Sequence, residues 1–320
     1  MAKPIDIRAA DGYVLRGLAW RHPRIASRCH PVAIINPATS VRGQYYTRFA
    51  DYLHAQGWDV VTFDYRGIGA SRHGSLRQLN AGWVDWGQHD LEGVLQYVME
   101  CSPGQPVDVI GHSAGGFIIG LAESAHRIRR IFTVGAQYAY WPDYAPSSRW
   151  TMFLRWHVAM PLIARLLGYV PAKRLGWMED TPKGVALDWA GMGPRFERTI
   201  RCDDRAREGA FEADTLVRRF GKVQASILAL GIDDDPFGTR PALDRLLAYF
   251  TGSERHHLRL TPAQIGQDRI GHFAFFHERF RDTLWPLASD WLRTGEPPLS
   301  TDEALKRWPA NESVSGRDTR

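Results

Sequence analysis

Cysteine and long apolar runs are both scarce in this sequence. Its three cysteines, Cys29, Cys101 and Cys202, are an odd number among 320 residues and form no Cys-x-x-Cys pair. This predicts neither a disulfide framework nor a cysteine-based zinc site, and it favours a reducing cytoplasmic environment. No stretch approaches the roughly 18 uninterrupted apolar residues of a spanning helix. The first residues, MAKPIDIRAADGY, also lack the apolar segment of a secretory signal. We therefore expect a cytoplasmic protein without stable membrane insertion.

Runs of basic residues are missing as well. The chain has 40 Lys and Arg against 35 Asp and Glu, a formal net charge of +5, and its arginines are scattered. A nucleic-acid binder normally concentrates its basic residues along one surface, so we expect no nucleic-acid partner. The apolar fraction of 44% is ordinary for a globular protein.

Short apolar segments alternate with helical patterns over most of the chain. Two segments at 5–10 and 13–20 flank Asp11-Gly12 and predict a hairpin. Further strands are predicted at 32–35, 60–63, 107–110, 128–134, 226–230 and 256–260. Helices are predicted at 44–56, 86–101, 114–125, 241–250 and 273–292. This alternation indicates βαβ units and a mainly parallel sheet.

The alternation is interrupted between two of the predicted strands. Residues 137–218 are rich in tryptophan, proline and glycine and show no clear strand. We interpret them as a helical cap inserted into one α/β core, which comprises residues 1–136 and 219–295. Residues 296–320 turn to proline, serine, aspartate and arginine, which predicts a poorly ordered tail.

The segment GHSAGG at 111–116 carries the strongest chemical signal. A predicted buried strand precedes it and a predicted helix follows, the context that the G-x-S-x-G motif requires. At such a sharp turn the backbone comes very close to itself, so Gly111 and Gly115 cannot carry side chains. The turn exposes Oγ of Ser113 and aims helix N–H groups at the same point. Ser113 is the predicted nucleophile, the alternative being a helix N-cap serine. We expect His112 to be structural.

A serine nucleophile needs a general base, and the base needs a group that orients it. In G-x-S-x-G enzymes the chain order is serine, acid, histidine. The predicted strand 226–230 runs into GIDDDPF, which places acids at the carboxyl edge of the sheet. We predict Asp234 as the acid, with Asp235 as the alternative and Asp233 as a third choice; a solvated acidic turn is the structural interpretation.

The predicted base is His272. It lies after the last predicted strand and before the last predicted helix, and Gly271 beside it permits a loop that reaches Ser113. His277 lies within the predicted helix and is expected to be structural, and His256 and His257 begin a strand.

An oxyanion hole requires two N–H donors. We predict those of Ala114, directly after the nucleophile, and of Ala38, in the loop after the predicted strand 32–35. Pro37 has no N–H to offer. Aromatic residues of the insert, with Tyr138, Trp141 and Trp150 foremost, are candidates for an apolar substrate pocket. The alternative is that these aromatic residues attach the cap to the core.

The segment FDYRGIGAS at 63–71 resembles the D-x-R-G-x-G-x-S loop of α/β-hydrolases. With GHSAGG, GIDDDPF and RIGHFAFF, the resemblance covers about residues 5 to 292. More narrowly, the chain resembles a bacterial branch of predicted α/β-hydrolases related to the serine-aminopeptidase-like and monoglyceride-lipase-like group. The resemblance implies a mostly parallel central sheet with helices on both faces, an inserted helical cap, and a triad at Ser113, Asp234 and His272. Asn36-Pro37 departs from the usual His-Gly of the oxyanion loop.

Together these features predict a serine hydrolase that cleaves a small or medium carboxylic ester, or a thioester, lactone or amide, through an acyl-enzyme. Its partner would be a small-molecule acyl substrate, and neither a metal nor an organic cofactor is required. The alternatives are an acyltransferase with the same triad and a non-catalytic receptor for a small ligand. The sequence leaves the oligomeric state open.

Overall fold

A long, mostly parallel sheet organises the molecule. The computed structural model describes residues 2–23, 29–200, 210–298 and 305–312, and in this part of the chain the sheet has nine strands in the order β1-β2-β4-β3-β5-β6-β9-β10-β11. The strands are β1 (Lys3–Arg8), β2 (Val14–Trp20), β3 (Val32–Asn36), β4 (Asp59–Phe63), β5 (Val107–His112), β6 (Arg130–Val134), β9 (Ser226–Ile232), β10 (Arg255–Leu260) and β11 (Leu305–Trp308). The six strands from β4 to β10 run parallel, and β1, β2 and β11 pair antiparallel at the two edges. The predicted α/β-hydrolase sheet is confirmed.

Helices cover both faces of this sheet. They are α1 (Thr47–Ala55), α2 (Trp83–Asp85), α3 (Glu92–Cys101), α4 (Ala114–Ile119), α5 (Arg149–Phe153), α6 (Met160–Leu167), α7 (Lys183–Gly191), α8 (Ala210–Lys222), α9 (Arg240–Leu247) and α10 (Trp285–Thr294). None of the helices in the described ranges is long and apolar enough to cross a bilayer.

The central strands are buried on both faces, which explains why they are apolar throughout rather than alternating. All residues of β3, β4 and β5 are buried. In β5, Val109 packs into the core on the side of α3 and α4, whereas Ile110 packs into the core on the side of α1 and α10. The side chains of neighbouring residues in a strand point to opposite faces, so the two cores share each strand.

The D-x-R-G-x-G-x-S loop after β4 connects neighbouring segments through buried polar contacts. Asp64 accepts hydrogen bonds from the N–H groups of Gly43 and Ala70. Arg66 is buried between Asp90, at 2.7 Å, and Asp11, at 2.6 Å. Burial raises the pKa of Asp90 to about 7 even though Arg66 opposes that shift. The loop thereby joins the hairpin β1–β2 to the helical segment before α3.

The segment between β6 and β9 is helical, as expected, apart from the short antiparallel pair β7 (Tyr169–Val170) and β8 (Thr181–Pro182). Its longest helical stretch runs from α5 through a wide π turn, Leu154–Ala159, into α6. One face of this stretch is buried and the opposite face is exposed. The buried face comprises Met152, Trp156, Met160 and Ala164, and the exposed one comprises Trp150, Leu154, Val158, Leu162 and Leu166.

Part of the predicted tail forms a strand, whereas residues 299–304 and 313–320 of that tail lie outside the described residues. Within residues 296–320, Leu305–Trp308 forms β11, which pairs antiparallel with β10 and adds the last strand of the sheet. Trp308 is buried, and Arg255 donates to the backbone carbonyls of Pro309 and Glu312. The polar composition of this segment does not predict a strand, because β11 is stabilised by its pairing with the edge strand β10. The predicted boundary at 218 and 219 falls inside α8.

Two predicted helices are also shorter than expected. The segment 114–125 is helical only over α4 and continues into a 3₁₀ turn, Glu123–Arg127. The segment 273–292 begins with two 3₁₀ turns, and α10 starts only at Trp285 with Pro286 in its first turn, a position that suits proline.

Candidate active site

Ser113 lies at the turn between β5 and α4 in a strained conformation. Its φ is 53° and its ψ is −126°, a region that residues other than glycine rarely adopt. Strain of this kind costs about 1–3 kcal/mol and persists only where the surroundings enforce it. A Cβ on Gly111 would lie 2.7 Å from Cα of Gly116, and one on Gly115 would collide with the carbonyl oxygen of Asn36. The steric argument made from the sequence therefore applies to the structure.

His272 contacts Asp235 rather than Asp234. Its Nδ1 lies 2.7 Å from Oδ2 of Asp235, and both side chains are almost fully buried. The expectation that Asp234 makes this contact is wrong, and the alternative named from the sequence takes its place. Asp234 instead accepts hydrogen bonds from the N–H groups of Ile270 and Gly271, each at 2.8 Å. Asp234 therefore stabilises the loop that carries His272, while Asp235 contacts the imidazole ring of His272.

The surroundings of Asp235 favour its ionised form. Burial alone would raise the pKa of this carboxyl, but the attraction and hydrogen bond of His272 and the N–H groups of Gly238 and Phe237 outweigh it, and the net shift is downward. Space around the carboxylate is tight. A Cβ on Gly135 would lie 2.6 Å from Oδ2 of Asp235, and one on Gly238 would also collide with it.

Ser113 itself faces the side chain of Gln137. Nε2 of Gln137 lies 3.5 Å from Oγ of Ser113, and Oε1 accepts the backbone N–H of Ala139. The second contact fixes which end of the amide points at the serine. Ser113 and His272 are each 7% exposed, and no hydrogen bond joins Oγ of Ser113 to His272 in the described structure.

A buried chain of hydrogen bonds runs past Ser113 through its neighbour His112. The N–H of Ala38 donates to the hydroxyl of Tyr46 at 2.9 Å, and this hydroxyl lies 2.8 Å from Nδ1 of His112. Nε2 of His112 lies 3.0 Å from the carbonyl oxygen of His272. Since a carbonyl only accepts, Nε2 carries the proton and Nδ1 accepts the hydroxyl hydrogen of Tyr46. His112 is structural, as predicted, but it supports the backbone of the predicted base.

This chain changes the expectation for Ala38. Its N–H was predicted to be a free donor for an oxyanion, but in the structure it already donates to Tyr46. Ala114, by contrast, is the first residue of α4, where backbone N–H groups have no partner within the helix.

Asn36 accounts for the unusual oxyanion loop. Its Nδ2 donates to the carbonyl of Gly115 at 2.6 Å, and its Oδ1 accepts the hydroxyl of Tyr65 at 2.6 Å. Tyr65 in turn stacks on Trp86. The side chain at this position therefore ties the loop directly to the turn that carries Ser113.

The aromatic residues predicted to line a pocket attach the insert to the core or lie outside it. Tyr138 is buried, packs against Phe117 and donates to the carbonyl of Pro194. Trp150 is 67% exposed on the outer face of α5, where it contacts Trp141. Of the three, Tyr138 thus packs against the core, whereas Trp141 and Trp150 contact each other within the insert.

A cavity of about 500 Å³ lies beside the site instead. Phe273, the residue after His272, forms one wall, and Ser40 with Tyr45 forms another on the side of the oxyanion loop. The insert contributes Trp177 and Met178. Ser40 Oγ lies 2.7 Å from Thr181 Oγ1, so the insert is hydrogen-bonded to the oxyanion loop at the edge of this cavity.

The family model for serine aminopeptidase, S33, matches residues 38–230, more than half of the chain. The chain belongs to this family of hydrolases. No curated protein sequence matches it. Among solved structures, it is similar to an esterase of Pyrococcus furiosus, with 13% identity over 92% of this chain and 90% of the other and a TM-score of 0.55. It is also similar to the monoacylglycerol lipase of Paleococcus ferrophilus, with 12% identity over 88% and 99% of the two chains and a TM-score of 0.51. These likenesses confirm the α/β-hydrolase fold.

The sequence singled out Asn36 only as a departure from the family pattern, and it did not point to Gln137 or Tyr46. Gln137 lies three residues after the end of β6. Its position after a parallel strand is the one signal that could have identified it, because the carboxyl ends of neighbouring parallel strands lie at the same side of the sheet. Tyr46 lies on a 3₁₀ turn before α1, and its contact with His112 spans 66 residues of sequence.

Stability should depend on pH through His112. Burial lowers its pKa to about 3, so between pH 6.5 and 3 the unfolded chain binds a proton that the folded chain does not. The free energy of unfolding should therefore fall as the pH drops, by about 2 kcal/mol between pH 7.5 and 5.0 from this group.

Chemical denaturation of wild type and His112→Gln at both pH values measures this contribution. The variant should lose less stability on acidification than wild type, whatever its stability at pH 7.5. His126→Gln, an exposed position in a 3₁₀ turn, is the matched control and should behave as wild type. Equal losses in wild type and His112→Gln would contradict the assignment.

Proposed function

We propose that this protein hydrolyses carboxylic esters through an acyl-enzyme on Ser113, with His272 as general base and Asp235 as the residue that orients it. The observation that carries the proposal is the buried 2.7 Å contact between Asp235 and Nδ1 of His272, next to a serine held in a strained turn. A carboxylate on Nδ1 places the proton there and leaves Nε2 with the lone pair needed to activate a hydroxyl.

The reaction would proceed in two halves. Oγ of Ser113 attacks the ester carbonyl while Nε2 of His272 takes its proton, and the tetrahedral intermediate then expels the alcohol, which receives that proton. Water attacks the acyl-enzyme by the same route and releases the acid. Asp235 remains ionised and stabilises the imidazolium. The hydrogen bond between Ser113 and His272 would form as substrate binds, since such contacts are often long without substrate.

The developing oxyanion needs donors. The N–H of Ala114 is one, as predicted from the sequence. In place of Ala38, whose N–H is occupied by Tyr46, we propose Nε2 of Gln137, because it is held at 3.5 Å from Oγ of Ser113 by the bond that its other end makes. A fixed amide dipole in a buried site stabilises charge without reorganisation.

The substrate we propose is an ester with a small or medium apolar acyl or alcohol group. The cavity between Phe273 and Trp177 is lined mostly by apolar surface, with the ion pair of Arg42 and Glu179 also in its lining, and it has the volume of a small ligand site. The esterase and lipase among the similar structures support ester chemistry on this fold.

Covalent labelling tests the nucleophile. Purified protein should react with a fluorophosphonate probe and hydrolyse p-nitrophenyl esters of graded chain length. Ser113→Ala should abolish labelling, and His272→Ala should reduce both readouts by at least about 10³-fold, because the serine loses its base. A folded wild-type protein that neither labels nor turns over any of the esters would refute the proposal and favour ligand binding without catalysis.

Substitutions of Asp234 and Asp235 should have different effects on the kinetics. Asp235→Asn should lower kcat by about 10³- to 10⁴-fold, because the imidazole loses its orienting charge and its tautomer. Asp234→Asn should reduce kcat less than about tenfold and mainly lower the unfolding temperature, because it weakens the bonds to Ile270 and Gly271. Steady-state kinetics and thermal unfolding of both variants decide the matter; the reverse ranking would restore Asp234 as the acid.

Gln137→Met tests the proposed donor with a side chain of similar length. Loss of one oxyanion donor typically costs about 10²- to 10³-fold in kcat. We expect a fall in kcat in this range with little change in KM. Gln96→Met, on the surface of α3, is a matched control and should retain wild-type kcat. If Gln137→Met keeps wild-type kcat while folded, Gln137 is not a donor in the reaction.

A further inference from the structure

Three histidines and one aspartate lie close together at the amino ends of the parallel strands, on the opposite side of the sheet from Ser113. His22 lies just beyond β2, His30 precedes β3, His54 is in the last turn of α1, and Asp59 is the first residue of β4. β3, β4 and β5 run parallel, so the amino ends of β3 and β4 lie far from the carboxyl end of β5, which carries the nucleophile. The ester reaction has no use for these residues.

The cluster is close-packed. Ligand atoms of His22, His54 and Asp59 all lie within 4.8 Å of one another, and all three residues are partly buried. Nδ1 of His22 is 3.1 Å from Oδ1 of Asp59. The ring of His22 lies 3.9 Å from that of His54 and 4.1 Å, stacked, from that of His30, measured between centroids.

Two of the rings are already oriented as metal ligands are. Nδ1 of His54 lies 3.1 Å from the carbonyl of Trp58, and Nδ1 of His30 lies 2.9 Å from the carbonyl of Gly57. A carbonyl only accepts, so both rings carry their proton on Nδ1 and keep the lone pair on Nε2. Metal-binding histidines are commonly held in this way by a carbonyl on the other nitrogen.

We propose that His22, His54 and Asp59 bind a divalent transition metal, zinc by preference, with His30 stacked on the ring of His22 beside the site. Imidazole nitrogens with one carboxylate suit zinc, cobalt and nickel, whereas magnesium and calcium prefer oxygen alone. Ligand atoms around a tetrahedral zinc lie about 3.3 Å apart. The pair of His22 and Asp59 already has this spacing, and His54 must approach by about 1.5 Å or less.

The site would be structural. It would join the connection between β2 and β3 to the turn between α1 and β4, two segments separated by up to 37 residues of sequence. A metal held only by the folded chain stabilises that state. The sequence alone predicted no metal, because these ligands do not follow any of the usual zinc spacings.

The test uses the full chain without a histidine tag, stripped with chelator. Titration with zinc should give one equivalent per chain and raise the unfolding midpoint by several degrees, and cobalt should give the intense visible bands of a tetrahedral site. None of these readouts depends on esterase activity.

Matched variants locate the site. His54→Gln and His22→Gln should each weaken zinc binding at least about tenfold, and His126→Gln, an exposed histidine elsewhere, should bind as wild type. Because either ligand variant can be judged alone, a folding defect in one leaves the other as the test. Binding that is absent, substoichiometric, or unchanged in a folded ligand variant would overturn the proposal.

Discussion

The buried chain of hydrogen bonds from Ala38 through Tyr46 and His112 to the backbone of His272 is the constraint on which the site depends. It connects the oxyanion loop to the loop of the proposed base and passes Ser113 through its neighbour His112. Each polar group in it has a partner, which matters because an unpaired polar group costs about 1–3 kcal/mol when buried. Its direction also fixes the tautomer of His112 and keeps that ring neutral and in place.

The positions around this chain tolerate little change. Ser113 sits on a strained turn, Gly115 packs directly against the backbone of Asn36 and Pro37, and the side chain of Asn36 bonds to the carbonyl of that glycine. The resemblance implies His-Gly at Asn36-Pro37. Asn36 fills this position and makes its own hydrogen bond to the carbonyl of Gly115. Rigid support of this kind allows a serine, a histidine and a carboxylate from three distant segments to stay within reach of one another.

The insert mainly covers the core and lines the cavity near Ser40. Its aromatic side chains bury it against the core, and its hydrogen bond from Thr181 to Ser40 anchors it at the oxyanion loop. At the start of the insert, the side chain of Gln137 lies within 3.5 Å of Oγ of Ser113. Ser113 and His272 are each only 7% exposed, and Phe273, which lines the cavity, is next to His272 in the chain.

The sequence by itself determined the sheet, the position of Ser113 and that of His272, because each depends on local pattern: apolar runs, glycines at fixed offsets, and a loop between the last strand and helix. Only the tertiary structure shows that Asp235 rather than Asp234 contacts His272, since adjacent residues face different ways and the contact joins residues 37 apart in sequence. It also placed β11 in a segment of polar composition, because an edge strand is defined by its neighbour's free hydrogen-bonding groups. Local pattern specifies elements, whereas partners distant in sequence specify which side chains meet.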